Sequence, residues 1–533
     1  MEQGKDTHDY DYIIIGSGFG GSVSALRLSE KGYRVLVIEK GKWYRQKDFA
    51  RTTWNLPKIF WLPALRFFGI MKMTIFRHIT ILSGVGVGGG SLVYANTLPV
   101  PPEEFFSSGN WKGLANWKEE LQPHYQTAYR MLGAAPNPFL DTGDHALQQL
   151  ARDIGREDHF EPTKVAVFFG EPGKTVADPY FDGKGPERTG CNFCGGCMVG
   201  CRHNAKNTLD KNYLYLAQQL GAAIKAESEV FDVAPIGPPD GSGGYTVRFQ
   251  SSTAFFKKKQ SLTARGVVFA GGVLGTVPLL LKLKQSSLPG LSDRVGYGIR
   301  TNNESLIAIT TVDKDKDLSK GVAISSILHT DQYSHLEPVR YSAGSGFWRL
   351  LVLPMAHGGN TLSRLGKIAW DWLSRPLANL KVAFVDDWAK RTQTLLFMQT
   401  LDSTLRFQRG WLGGMRSRLD KGPAPSAFIP EAESLAKKYG KLINGKPTSL
   451  ALEPLLGIPS TAHILGGAVM GKDASEGVID KDNRVFGYQN MLVCDGSMIS
   501  ANPGVNPSLS ITAISERAMG KVEGKGRALA GQG

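Results

Sequence analysis

Four sets of residues in this 533-residue chain have the types and spacing for chemistry. The first is Gly16-Ser17-Gly18-Phe19-Gly20-Gly21, between the apolar run YDYIII and the amphipathic stretch SVSALRLSEKGY, with a second apolar run at 34–38 ending in Glu39. In that context Gly16 permits a tight turn, Gly18 lets backbone approach a pyrophosphate, and Gly21 lets the helix pack on the strand. The helix N-terminus then faces the phosphates, and Glu39 can hold a ribose hydroxyl. An acid there suits FAD or NAD rather than a 2′-phosphorylated nucleotide. The second set is His463 in HILGG and Asn506 in GVNP. A histidine exchanges protons near neutral pH, and an asparagine amide can donate to a developing oxyanion. Each also has a plain structural reading, a satisfied histidine and a cap of the final helix. The third is Cys191, Cys194, Cys197 and Cys201, spaced C-x2-C-x2-C-x3-C as in bacterial iron–sulfur ligation. Arg202 rather than Pro follows, and only Cys494 remains elsewhere, so a second cluster of that type lacks ligands. One cluster, a zinc ion or uncoordinated thiols all stay open. The fourth is Glu337 in HLEPVRY, either a buried proton carrier or a partly exposed strand residue paired with Arg340.

Elements must bring these sets together. The segment GVGVGGGSL at 84–92 is too rich in glycine for an ordinary loop and reads as backbone packed close to a flat ring or a pyrophosphate. Residues 103–150 read as helices with loops, and 206–222 as an amphipathic helix. A strand meander then runs to Arg265, broken by the turn-rich PIGPPDGSGG. GVVFAGG at 266–272 is a buried strand entering a glycine turn before VLGTVPLLLKL, a second strand–turn–helix. Residues 301–455 alternate strands with aromatic helices and read as a substrate-covering domain. The last 70 residues return to a strand–Asp-Gly–helix pattern around Asp495 and Gly496.

Composition narrows the function classes. A 42% hydrophobic, 21% charged chain is ordinary for a globular protein. No apolar run is long enough to span a membrane, and the polar MEQGKDTHD leads directly into the first strand, so a cytoplasmic protein is expected. The net charge of +14 invites a nucleic-acid reading, but no nucleic-acid motif accompanies it. Two basic, aromatic stretches stand out, 51–80 and 348–391. The second has seven Arg/Lys against three Asp, with Trp348, Trp370, Trp372 and Trp388 between them. Such segments suit reversible docking on an anionic membrane; an ordinary lid or core helix with a solvated basic face is the equal alternative.

Taken in order along nearly the whole chain, these motifs resemble the glucose–methanol–choline (GMC) flavoprotein oxidoreductases, and among them the bacterial cholesterol oxidases. The residues that carry the resemblance are Gly16 to Gly21 with Glu39, GVGGGSLV from Gly86, HILGG, VCDGS, GVNP and ITAISER. The resemblance implies an α/β fold: a discontinuous Rossmann-like FAD domain (1–105, 185–300, 456–533) and a mixed-sheet α+β substrate domain (106–184, 301–455). It implies FAD held through Gly16, Gly18, Gly21, Glu39, Gly89, Gly90, the backbone at Val230, Asp495 and Gly496. It makes His463 and Asn506 the pair that handles the proton while flavin takes a hydride, and makes Glu337 the candidate for moving a sterol double bond. The expected substrate is a hydrophobic alcohol, a 3β-hydroxysterol or else a long-chain fatty alcohol, with oxygen or another carrier as electron acceptor. A lyase or isomerase that keeps FAD without net redox is the alternative of another class. Two departures stand out: Ile464 follows the histidine where the family has Pro, and Tyr94-Ala95-Asn96 stands where Asn-Gly-Gly is expected.

Overall fold

The computed structural model describes residues 8–526 except 357, 402 and 412. Residues 1–7 of the polar lead-in lie outside the described residues. Two seven-stranded sheets organise the chain. In the first, Ala223–Lys225, Val35–Ile38, Tyr10–Ile15 and Lys259–Phe269 run parallel in that order, and Met491–Val493 adds a parallel strand beside the end of the last. The start of Lys259–Phe269 also carries the antiparallel meander Tyr245–Ser251 and Ser228–Pro235. Ile13, Ile14, Val37, Val267 and Val268 are fully buried, as a sheet covered on both faces requires. Phe19–Glu30 and Ser508–Gly520 cover it, so the first and last thirds of the chain share one core.

The second sheet is ordered Val352–Pro354, Gly445–Leu450, Ser305–Thr311, Thr392–Gln399, Ser334–Val339, Ser326–His329, Phe160–Pro162. Every pair in it is antiparallel, whereas the first sheet mixes parallel and antiparallel pairs. Its two faces have different jobs. Ile307, Ile309, Leu336, Leu395 and Phe397 pack against the helices Thr142–Asp153 and Pro430–Ile443. The alternate residues Leu306, Ala308, Thr394, Leu396 and Val339 line a large cavity, because successive side chains in a strand point to opposite faces.

The helix expected over 206–222 is much shorter. Only Tyr213–Gln219 is α-helical, after one 3₁₀ turn at Leu209–Lys211. Lys206 and Asn207 are buried and spend their side chains on distant backbone carbonyls, and Asn212 leaves helical geometry (φ −137°, ψ −99°). Among the described residues no helix is long and apolar enough to cross a membrane.

Candidate active site

A cavity of about 720 Å³ runs between the two sheets, from the first glycine turn to His463 and Asn506. Gly16, Gly18, Glu39, Gly89, Gly90, Val230, Asp495 and Gly496 all line it, and Gly21 stands just behind. The glycines serve different ends. A Cβ on Gly21 would fall 2.1 Å from the Gly16 carbonyl oxygen, and one on Gly16 2.4 Å from that of Ala270. A Cβ on Gly18 would meet no protein atom nearer than 4.0 Å. Gly18 is therefore kept open toward the cavity, as a pyrophosphate path requires. Gly89 is pinned against Gly18, its Cβ position 2.7 Å from the Gly18 Cα, which joins the second glycine loop to the first. Glu39 is buried; its carboxylate accepts from Ser17 N–H (3.1 Å), the Ser17 hydroxyl (2.7 Å) and Gly41 N–H (2.8 Å). Val230 sits where the strand register breaks before Asp232.

Asp495 does more than the resemblance implies. One carboxylate oxygen accepts from Gly272 N–H (2.8 Å) and the Thr276 hydroxyl, the other from Ser497 N–H (2.8 Å) and its hydroxyl. It ties the second strand–turn–helix to the C-terminal strand and leaves Gly496 on the cavity wall. Burial raises its pKa, and those four donors oppose the shift.

At the far end the chain assembles a polar patch from four distant segments. His463 Nδ1 lies 2.8 Å from Glu304 Oε1, which also accepts from the Thr461 hydroxyl at 2.6 Å; Oε2 accepts from Ala462 N–H at 2.9 Å. Burial by itself would make the imidazole less basic, but the Glu304 charge and hydrogen bond, with Glu337 adding, raise the His463 pKa above its ordinary value. Burial pushes the Glu304 carboxyl up, and the His463 charge with the three hydrogen bonds brings it below its ordinary value. With Nδ1 committed to the carboxylate, Nε2 is the nitrogen free to act on a ligand in the cavity. Glu304 was missed in the sequence, where it is one polar residue in TNNES at the entry to a strand. Only the fold places it under His463.

Asn506 does not cap the final helix, whose N-cap is Pro507 without a side-chain bond. Its Nδ2 reaches Glu337 Oε2 at 3.5 Å, and its Oδ1 is buried without a partner. Glu337 is fully buried and not paired with Arg340, which instead bonds Asp144 at 2.9 Å. In register it shares a row with Leu396 and Leu306, both cavity-lining. Its Oε1 has no hydrogen bond and stands 3.6 Å from His335 Nε2. The glycines after His463 are packing devices: a Cβ on Gly466 would lie 2.0 Å from the Gly298 carbonyl oxygen, at φ +77°.

The four cysteines come together. Cys191, Cys194, Cys197 and Cys201 line one small cavity, whereas Cys494 is buried apart from them. Among the described residues no three His, Cys, Asp or Glu are grouped to hold a metal ion, so neither the cluster nor the zinc alternative is supported by this arrangement.

Comparisons with known proteins agree with the geometry. Residues 453–515 match the GMC oxidoreductase family model and residues 14–42 that of an NAD(P)-binding Rossmann-like domain. The chain is 45% identical to a cholesterol oxidase of Acinetobacter baumannii, over 98% of this chain and 95% of the relative. It is 44% identical to a cholesterol oxidase of Mycobacterium tuberculosis, over 97% and 92%. A long-chain-alcohol oxidase of Arabidopsis thaliana is 23% identical, over 94% and 65%. The crystal structure of pyridoxine 4-oxidase from Mesorbium loti superposes with a TM-score of 0.62 at 15% identity, covering 96% of this chain and 98% of that one, a likeness of fold. The chain belongs to the GMC oxidoreductases, in the family of the cholesterol oxidases.

Proposed function

We propose that this protein is an FAD-dependent oxidoreductase that oxidises the hydroxyl of a 3β-hydroxysterol. The observation that carries the reading is one continuous cavity with an open glycine cradle at one end and the Glu304–His463–Asn506 patch at the other. The cradle fits FAD: Gly18 is open, Glu39 stands at the ribose position, and Gly496 and the glycines at 271–275 continue the wall. When bound, flavin accepts a hydride from the carbinol carbon. His463 Nε2 takes the hydroxyl proton, and Glu304 stabilises the imidazolium and holds the ring. The unpaired Asn506 Oδ1 needs a donor, which a bound ligand supplies. Glu337, behind Asn506 and without a full set of partners, is the base for shifting a ring double bond after oxidation. The wall of Leu306, Ala308, Leu396, Trp348 and Trp388 suits fused rings. The division into flavin and substrate segments given above belongs to this reading.

Adding a 3β-hydroxysterol anaerobically should bleach the flavin, and a long-chain alcohol should do so at least tenfold more slowly. Equal rates would favour the fatty-alcohol reading, and an unbleached flavin with both would favour the non-redox one. Oxygen is the acceptor in the simplest form of this reading, and the half-buried loop of free thiols suits a reducing cytoplasm.

The reading extends to peripheral membrane contact. In the 51–80 stretch Trp61 and Phe76 are buried and Phe60 packs on Trp348, while Trp54, Leu62, Leu65 and Ile75 are exposed, so it is part wall and part surface. The helices Thr361–Ser374 and Pro376–Ala383 differ: Leu362, Trp370, Leu373 and Leu377 are 72–81% exposed. Arg375 and Lys381 lie among them. This pair, amphipathic in its first helix, connects two cavity-lining residues, Val352 and Trp388, and suits an anionic lipid surface. Co-sedimentation with anionic vesicles should be lost on replacing Trp370 and Leu373 with Ser; unchanged binding would remove this contact.

A further inference from the structure

We propose that His335, His329 and His159 form a proton path that joins Glu337 to solvent. The path follows from strand register. His335 and Glu337 are two positions apart in Ser334–Val339 and so stand on one face of the substrate sheet. His335 pairs directly with His329 of the neighbouring strand Ser326–His329. That strand pairs in turn with Phe160–Pro162, Leu328 opposite Phe160, so the next position along that edge sets His159 beside His329. Three histidines from three segments thus make one row. It runs from the interior, where His335 is buried, through half-buried His329 to exposed His159.

The inner end of the row holds two polar atoms that the protein leaves unanswered. Glu337 Oε1 and His335 Nε2 are both buried without a hydrogen-bond partner, and they stand 3.6 Å apart. Buried polar groups are ordinarily paired, and one proton between these two would draw them into a charge-assisted hydrogen bond. On the opposite side the register sets Met398 against His335 and Leu396 against Glu337, both buried and apolar, so the polar side of the row is the His329 side. The rings of His335 and His329 have centroids 5.9 Å apart and planes inclined at 53°, a gap that one bridging water closes. Burial, with the charges of His335, His159 and Arg156, lowers the His329 pKa to about 4. Its imidazole is therefore neutral at physiological pH, with one ring nitrogen to accept a proton and the other to donate one. Arg156 donates to the His329 carbonyl oxygen at 3.3 Å and ties the outer segment to this strand.

The path rests on the reading of Glu337 as the base that shifts the ring double bond. In that reaction the carboxylate takes a proton from the carbon between the ketone and the double bond. The electron pair of that C–H bond moves into the ring and leaves a dienolate. The carboxyl group, whose terminal torsion is soft, turns the proton toward His335 Nε2. The imidazole releases the proton of its other nitrogen toward His329, from which a proton reaches water at His159. A solvent proton returning by the same route is delivered by Glu337 to the far carbon of the dienolate. One proton leaves and one returns, no electrons are exchanged, and the carboxylate ends as it began. Without the row this fully buried carboxylate could only hand back the proton it had taken.

The test gives the flavin-loaded, full-length enzyme the unconjugated ketone of cholesterol in deuterium oxide, which separates the double-bond shift from the oxidation. Mass spectrometry and proton NMR of the conjugated product, taken early in the reaction, should find solvent deuterium at the newly protonated carbon. His335→Phe should isomerise the ketone near the wild-type rate and give mostly protium there, a change that a merely structural role would not produce. His329→Phe, at the half-buried position, should do the same, and it decides alone should His335→Phe fail to fold or to isomerise. Equal deuterium in wild type and variants, or a wild-type product that keeps its own proton, overturns the path and leaves Glu337 as the base. No conversion of the ketone by wild-type protein overturns the base reading, and the path with it.

Discussion

The two ends of the cavity are built from different materials. At the phosphate end the wall is backbone: Gly16, Gly18, Gly21 and Gly89 lie within a few ångströms of one another and of Ala270, and their absent side chains are what shape the site. At the other end side chains shape the site: Glu304, His463 and Asn506 line it, with Glu337 behind Asn506; Glu304 directly precedes the strand Ser305–Thr311, Glu337 lies in Ser334–Val339, and His463 and Asn506 lie in two loops of the C-terminal segment. A backbone-built site is most sensitive to added atoms, which at Gly16, Gly21 and Gly89 would meet backbone and at Gly18 would enter the cavity. A site built from buried, hydrogen-bonded polar groups is most sensitive to lost partners, because each group left unpaired costs about 1–3 kcal/mol.

The largest effects should therefore come from glycine. Gly21→Val drives a side chain into the Gly16 carbonyl and should cost more than about 4 kcal/mol, giving a flavin-free protein with a collapsed melting transition. Gly18→Val meets no protein atom; it should melt near the wild-type apoprotein and still be flavin-free. A fully flavinated Gly18→Val protein would mean that the pyrophosphate runs elsewhere, and the contrast drawn here would fail at its first step.

At the reaction end a substitution should spare the cofactor and slow the chemistry. His463→Ala should keep its flavin and slow anaerobic flavin reduction by about 100-fold or more, the scale of losing a general base. Rapid-mixing absorbance measures it directly. Reduction at the wild-type rate would return His463 to a structural role.

This contrast also explains what could be read in the sequence. The phosphate end is local: strand, glycine turn, helix and acid fall within 30 residues, so their spacing alone places them, and the second glycine loop is visible as a composition that packing must justify. His463 and Asn506 were legible only through the order of motifs along the chain. Glu304 was not legible at all. Its position depends on the parallel pairing of Ser460–Thr461 with Thr80–Gly84, which sets the His463 backbone beside the substrate sheet, and no local pattern encodes that pairing. Helix 206–222 failed for a related reason. Its apolar periodicity is real, but Lys206 and Asn207 are drawn to carbonyls as distant in the chain as Leu92 and Gly133.

The carboxylate under His463 gives the next effect in size. Glu304→Gln keeps a hydrogen-bond partner near Nδ1 but removes the charge, so flavin reduction at its best pH should fall by about tenfold, the scale of one charge-assisted bond. The pH profile carries the sharper signature. His463 must be neutral to accept the proton, so the rate is lost as pH falls through its pKa. Glu304 raises that pKa against the opposing effect of burial. Without the charge burial wins, the pKa drops, and the acid limb of kcat/KM should move to lower pH. An unmoved limb would show that another group controls it.

Glu337→Gln should have the smallest effect on oxidation, and so it separates the two carboxylates most cleanly. Glu337 does not bond His463; it touches Asn506 at 3.5 Å and lies behind the cavity wall. Glutamine fits the same space and can still meet the Asn506 amide through its carbonyl, so flavin reduction should change by less than about threefold. Its charge also raises the His463 pKa, though it ranks below both contributions of Glu304, so the acid limb should shift in the same direction as in Glu304→Gln but by less. What the variant loses is a buried base. A 3β-hydroxysterol should be converted to the unconjugated ketone, which accumulates because no carboxylate remains to carry the proton across the ring. Product analysis by chromatography distinguishes the two ketones. A variant that still forms the conjugated product at the wild-type rate would show that Glu337 is a packing residue, leaving Glu304 as the only carboxylate of the patch with a part in the chemistry.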